Sequence, residues 1–232
     1  MDTALQQFKD SIEMATSLLS IERAYFHNPP NLSEQKAVQG LRGGATVLCV
    51  AAFENFLRQL IEEQLGEIKP KIELKKLPEK IFTNNVYKGL ESAMKSPLYH
   101  PPISRKDRIP NIEKTCKDII AGIIDPLVFC DVGSNPNSKN VKSLFGDIDL
   151  DNIFDRIKPK FDKNWKSPTS ATFIPDKLDE IVNRRHVVAH KANALNITRT
   201  ELKQATKFLT ILATLLDSEI RAHIKYLFKT CV

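Results

Sequence analysis

Ten residues concentrate the groups able to hold a phosphate and move a proton: Ile181-Val-Asn-Arg-Arg-His-Val-Val-Ala-His190. Arg184, Arg185, His186 and His190 fall within seven positions, and they include 2 of the chain's 5 histidines. A guanidinium carries a permanent charge and grips two phosphate oxygens at once, while an imidazole takes up or delivers a proton near neutral pH. Phosphodiester chemistry needs both groups. On a helix, His186 and His190 are four apart and share a face. Arg185 and His190 are five apart, roughly 140° around the axis at 3.6 residues per turn. Those two meet on one side only if the helix loosens near its end or the arginine side chain reaches round. The same residues also have a purely structural reading, because cations at a helix C-terminus complement its dipole and cap its last carbonyls.

Helices must position these groups. The chain has 232 residues, 42% of them hydrophobic and only 8 of them glycine, which is enough for a sizeable core in a single domain. A buried stripe at i, i+3, i+4 spacing (Leu5, Phe8, Ile12, Ala15, Leu18, Leu19) predicts a first helix over 3–27, ended by Asn28-Pro29-Pro30-Asn31. Ser33 is the expected N-cap of a second helix over 34–68, with Val47, Leu48, Ala51, Phe56, Leu60 and Ile61 on its apolar side. Gly40, Gly43 and Gly44 cost that helix up to about 1 kcal/mol each relative to alanine, so close helix–helix approach or a kink is expected there. Their spacing fits no phosphate-binding glycine loop.

From about 70 to 175 the pattern is less regular. It predicts short helices near 81–95, 111–124 and 151–158, the last closed by Pro159, and a turn-rich loop over 131–143 leading into another short helix. Lys158, Lys160, Lys163 and Lys166 are interleaved with Phe161 and Trp165, as in a surface that tracks single-stranded nucleic acid, or else as a solvated stretch whose aromatics pack inward. Asp176 opens the helix carrying the arginines and histidines. After a connection over 191–197, the capping box Thr198-Arg-Thr-Glu201 opens a last helix over 199–228. The expected fold is therefore all-α: two long helices, an irregular middle, and two more helices closing a four-helix bundle.

Charge and cysteine usage narrow the partners. A net charge of +6 and a pI near 9.1 lean towards an anionic partner such as RNA or DNA. The 4 cysteines have neither zinc-site nor disulfide-framework spacing. MDTALQQFKD has no leader pattern and no run of about 18 apolar residues occurs, so no membrane span and a cytoplasmic location are expected.

Arg185-His186-x-x-x-His190 resembles the R-polar-x(3–5)-H signature of the HEPN superfamily. Ala51-Ala-Phe-Glu-Asn-Phe-Leu57 is similar to the acidic helix-two motif of its RiboL-PSP-like bacterial branch, and Ser134-Asn-Pro-Asn-Ser-Lys-Asn-Val-Lys-Ser-Leu-Phe145 is similar to a further segment of those proteins. The likeness spans about 40–228. It implies a HEPN-like four-helix bundle over 1–232, with short helices and loops inserted at about 70–175. It also implies a metal-independent endoribonuclease acting as a toxin or phage-defence effector.

In that reading His190 is the general acid/base, Arg185 stabilises the pentacoordinate phosphate, and His186 orients or binds. Glu54 pairs with an arginine of the motif. Arg184 is a further cation, structural or RNA-contacting, and Lys158, Lys160, Lys163 and Lys166 are candidate RNA-binding residues. Attack by the ribose 2′-OH would leave a 2′,3′-cyclic phosphate and needs no metal or cofactor. The implied partners are RNA, a second copy of the chain completing a symmetric site, and an antitoxin or other defence-system protein.

Ala192 stands where nucleotidyltransferase-controlled relatives carry a tyrosine, which speaks against control by adenylylation. Two alternatives stay open. One is a non-catalytic HEPN module binding RNA, a nucleotide or a partner protein. The other is a metalloenzyme using His186 and His190 with Glu54, although Val187, Val188 and Ala189 leave no place for the glutamate of an H-E-x-x-H zinc motif.

Overall fold

The computed structural model describes residues 3–95, 106–133, 135–191 and 197–231, apart from the side chains at 107, 190 and 191. Among the described residues there are eight α-helices and no strand. They are α1 (Ala4–Tyr25), α2 (Gln35–Ile68), α3 (Glu79–Met94), α4 (Ile109–Ile120), α5 (Ser138–Asp147), α6 (Ile153–Trp165), α7 (Phe173–Lys191) and α8 (Arg199–Thr230). Short 3₁₀ turns at Leu74–Lys76, Lys106–Arg108 and Pro126–Phe129 join some of them. The all-α bundle expected from the apolar periodicity is present, with α1, α2, α7 and α8 as its long members.

Helix α2 is the centre of the bundle and packs against α1, α7 and α8. It is long and apolar enough to cross a membrane by composition. Here its apolar residues are in the core, where Phe53, Phe56, Leu57, Leu60, Ile61 and Leu65 are fully buried. A helix packed on several sides carries apolar residues nearly all round, which is why composition alone resembles a span. Phe8 of α1 meets Phe53 and Phe56 with ring centroids 6.3 and 5.3 Å apart.

Of the α2 glycines, Gly43 is explained by close packing, whereas a Cβ at Gly44 would make only an ordinary contact. A Cβ on Gly43 would lie 3.1 Å from Val188 Cγ1 on α7, and one on Gly44 would lie 3.6 Å from Leu18 Cδ1 on α1. Gly40 faces open space.

The segment expected to be irregular is mostly helical. Helix α6 continues through Pro159, where a stop was expected. Its buried face (Ile153, Phe154, Ile157, Phe161) runs on past the proline. Phe161, Trp165, Phe173 and Phe208 then form one aromatic cluster joining α6, α7 and α8. That packing outweighs the missing donor and the ring clash, which cost about 3 kcal/mol. Ser33 is not the cap of α2. Glu34 occupies that position without capping through its side chain, and its carboxylate accepts instead from the Asn31 and His27 backbone N–H groups at 3.0 and 3.3 Å. The Thr198–Glu201 capping box forms at α8 as expected.

A buried ionic clasp locks three helices together. Glu22 of α1, with no side-chain exposure, accepts from Arg42 Nη2 at 2.5 Å and Nε at 3.2 Å, and from Arg199 Nε at 3.0 Å. Arg42 Nη1 also donates to the Ile197 carbonyl at 2.9 Å. Removing the carboxylate's charge leaves two guanidiniums poorly neutralised in the interior, a class of change that costs about 3–5 kcal/mol. Glu22→Gln is therefore expected to lower stability by about that amount, read as the shift of the urea unfolding curve.

Candidate active site

Arg185 sits on α7 and is oriented by the loop in front of α5. Its Nη1 donates to Asn135 Oδ1 at 2.8 Å. That loop is held by local chemistry. The Gly133 N–H donates to Asp131 Oδ1 at 2.8 Å, and Gly133 takes a φ of 69°, open to glycine at little cost. A Cβ there would also lie 2.8 Å from Asn140 Nδ2. Asn137 caps α5 by accepting from the Asn140 N–H at 2.9 Å, and Asn140 Nδ2 donates to the Asn135 carbonyl at 2.7 Å. Helix α7 closes the arrangement through Asp179, which accepts from the Ser138 N–H and hydroxyl, both at 2.7 Å. A carboxylate at the first turn of α5 also suits that helix's dipole. The loop that orients Arg185 is thus fastened to the helix that carries it.

Arg185 opens on a cleft of about 950 Å³ between α2, α7 and the segment after Pro126–Phe129. Glu54, Arg58, Gln59, Cys130 and Asp131 line it with Arg185. Glu54 does not pair with an arginine of α7, as expected from the sequence, but accepts from Arg58 Nη2 at 3.1 Å one turn along α2. Four buried side-chain polar atoms among the described residues lack a hydrogen-bond partner. Three of them belong to this cleft: Arg58 Nε, Gln59 Oε1 and Arg185 Nε. Each such atom costs about 1–3 kcal/mol unless something supplies its bond.

The remaining candidates are dispersed. Arg184, beside Arg185, is neutralised by Glu180 at 2.7 Å and Glu201 at 2.8 Å. His186 is exposed and lines a second cleft of about 570 Å³ with Asp176, Asp179, Glu180 and Asn183. Asn135 borders that cleft too, so the 131–137 loop is the wall between the two. Glu54 and His186 line different clefts, and no three His, Cys, Asp or Glu groups gather as metal ligands among the described residues. The α7 helix runs through Lys191, which keeps the His190 backbone in helical register with Arg185. The His190 side chain and Ala192 lie outside the described residues.

Lys158, Lys160 and Lys163 lie on α6 and Lys166 is its C-cap, and none of them lines either cleft. Lys158 is held by Asp162 at 2.5 Å and the Thr169 carbonyl at 2.8 Å, Lys160 approaches Glu219 at 3.5 Å, and Lys163 and Lys166 are exposed. Phe161 is fully buried, and Trp165 packs inside its aromatic cluster with Lys207 Nζ 4.4 Å from its ring centroid. The aromatics of this stretch therefore offer no stacking platform.

The family model described as RiboL-PSP-HEPN matches residues 12–222. The chain belongs to the RiboL-PSP-HEPN family. No curated protein and no solved structure matches it. In this HEPN chain the sequence reading missed Arg58, Gln59 and the role of Asn135. Glu54-x-x-x-Arg58 is the i, i+4 acid–base spacing of a helical ion pair and could have flagged Arg58. Nothing local marks Asn135 as the partner of a residue fifty positions away.

Two measurements test the electrostatics. Burial pushes the Cys130 and Cys49 thiols up to about 12. Both should resist iodoacetamide at pH 8 in the folded protein while reacting in urea, as read by mass spectrometry. The Thr198 backbone N–H, then the Thr198 hydroxyl and the Arg184 guanidinium, hold the Glu201 carboxyl down at about 2 against an ordinary 4.5. A depressed carboxyl stabilises the fold above its ordinary pKa and loses that contribution as pH falls from about 4.5 to about 2. The stability advantage of wild type over Glu201→Gln should accordingly be full at pH 7 and gone near pH 2, read from urea midpoints.

Proposed function

We propose that this HEPN protein is a metal-independent endoribonuclease. The observation that carries the reading is the state of Arg185, which a neutral amide orients but does not neutralise, at the wall of a cleft rich in unmet hydrogen-bonding groups. A fixed cation of this kind stabilises charge developing on a phosphate. His190, on the same helix, is the general acid/base that takes the 2′-OH proton or delivers one to the leaving 5′-oxygen. His186 assists in binding. The products are a 2′,3′-cyclic phosphate and a 5′-hydroxyl, and DNA, lacking the 2′-OH, is not cut. The exposed cations Lys163 and Lys166, within a net charge of +6, favour approach of RNA over the outer surface.

The acting species in this proposal is a homodimer in the cytoplasm, serving as a toxin or phage-defence effector under a protein partner. Support for the dimer comes from α2, whose outer face exposes Ala37, Gly40, Leu48 and Ala51 at helical spacing and leads towards the cleft at Glu54. Small apolar residues on one face allow close approach of a second helix.

The test is cleavage of a mixed RNA in EDTA, with the cyclic-phosphate end assayed directly. Wild type should cut, while His190→Ala and Arg185→Ala should fold normally and lose about 10²-fold or more in rate, the scale of a placed proton-transfer group or charge stabiliser. Full activity in either variant, or no cleavage by folded wild type, would remove the enzyme reading and leave a non-catalytic binding module.

A further inference from the structure

We propose that Arg58 is a second RNA-binding arginine, closing on the same backbone phosphate as Arg185 across the cleft between α2 and α7. The inference rests on the RNA-directed reading above for the identity of the anion. Both guanidiniums line one cleft, and both have a buried Nε with no partner. Arg185 is held at one edge only, through Nη1 to Asn135, which leaves the edge carrying Nε unengaged. Arg58 is likewise held by a single bond, from Nη2 to Glu54 at 3.1 Å, although a carboxylate facing a guanidinium edge can accept two parallel bonds. The Glu54–Arg58 pair is half made, and a phosphate presents the oxygens that would complete it.

Three carboxylates, Glu54, Glu62 and Asp131, line the cleft with the two arginines, so a phosphate gains only where both guanidiniums face it. Glu54 is set against Arg58, and the Arg185 guanidinium has only an amide as its hydrogen-bond partner. Glu54 in this arrangement is a positioning residue, keeping the Arg58 side chain extended along α2 until an anion arrives. Gln59 adds an acceptor, since its Oε1 is buried without a donor. Bare inorganic phosphate would use only the arginines. A nucleotide brings hydroxyl and base N–H donors beside its phosphate, which an isolated anion lacks.

The experiment measures binding apart from cleavage. In the His190→Ala protein, with EDTA present, the affinity for a short fluorescent RNA of mixed sequence is followed by anisotropy over a salt series. Arg58→Gln should weaken binding about tenfold or more and flatten the log–log salt slope by about 0.7, the value for one single-strand phosphate contact. Arg58→Lys should keep the slope while recovering only part of the affinity, because a lysine is a point charge without a fork.

Removing Arg58 also frees Glu54 to repel the phosphate, so Glu54→Gln/Arg58→Gln is measured beside it. The double variant should remain weak. Return of the double variant to parental affinity would mean that Arg58 only neutralises Glu54, and would overturn the proposal. Parental affinity in Arg58→Gln, or no RNA binding by the parent, would overturn it as well. If wild type fails to cleave RNA yet binding depends on Arg58 as described, the enzyme reading falls and the clamp stands. Circular dichroism of each variant confirms the helical fold.

Discussion

The joining of α1, α2 and α8 depends on a carboxylate with no side-chain exposure. Glu22 is held between Arg42 and Arg199, and so joins the first helix to the second and the last. Desolvating three charges costs several kcal/mol per ion, and mutual attraction returns that only when geometry and extra hydrogen bonds are good. Here the extra bonds run to the Ile197, Glu22 and Phe26 carbonyls. The consequence is specificity of placement. Because Arg42 also binds the Ile197 carbonyl, the residue immediately before the capping box that starts α8 is tied to the clasp. Along its length α7 packs closely on α2 at Gly43, where an added Cβ would lie 3.1 Å from Val188 Cγ1, tighter than ordinary contact.

Two adjacent arginines on that helix meet opposite surroundings, and the difference decides what each can do. Arg184 lies between two carboxylates and is internally compensated. Arg185 receives one neutral amide. An ion pair fixes direction and cancels the field together, whereas an amide fixes direction and leaves the field intact for a ligand. On either side of residue 134, glycine at a positive φ, an aspartate turn, an asparagine cap and a bond network into α7 fix the chain that meets Arg185. Agreement among such local preferences is what lets a loop hold a side chain as firmly as a helix would.

Periodicity and terminal chemistry were legible in the sequence, and long-range partnership was not. The stripes of α1 and α8, the proline-rich stop after α1 and the Thr198–Glu201 box are local patterns, and local patterns read out directly. Pro159 misled because its cost is local while the offsetting aromatic packing comes from Phe173 and Phe208, distant in sequence. Ser33 misled because Glu34 finds its donors upstream at His27 and Asn31. Glu54 lies on the second helix as expected, but a partner four residues away on its own helix has an entropic advantage over one on α7. The pairing of Arg185 with Asn135 had no local signature at all.

Helix α2 shows why one element can answer to several functions without contradiction. One side is buried against α1, α7 and α8 and supplies most of the large core side chains. A second side, beginning at Glu54 and Arg58, forms a wall of the cleft. A third, from Ala37 through Gly40 and Leu48 to Ala51, is small, apolar and exposed. At 1.5 Å per residue, roughly one turn separates Ala51 from Glu54 and two separate it from Arg58. Anything docked at the Ala51 end of the exposed stripe would therefore lie close to Glu54 and Arg58. In this helix the placement of a partner and the shape of the cleft are coupled by sequence distance alone.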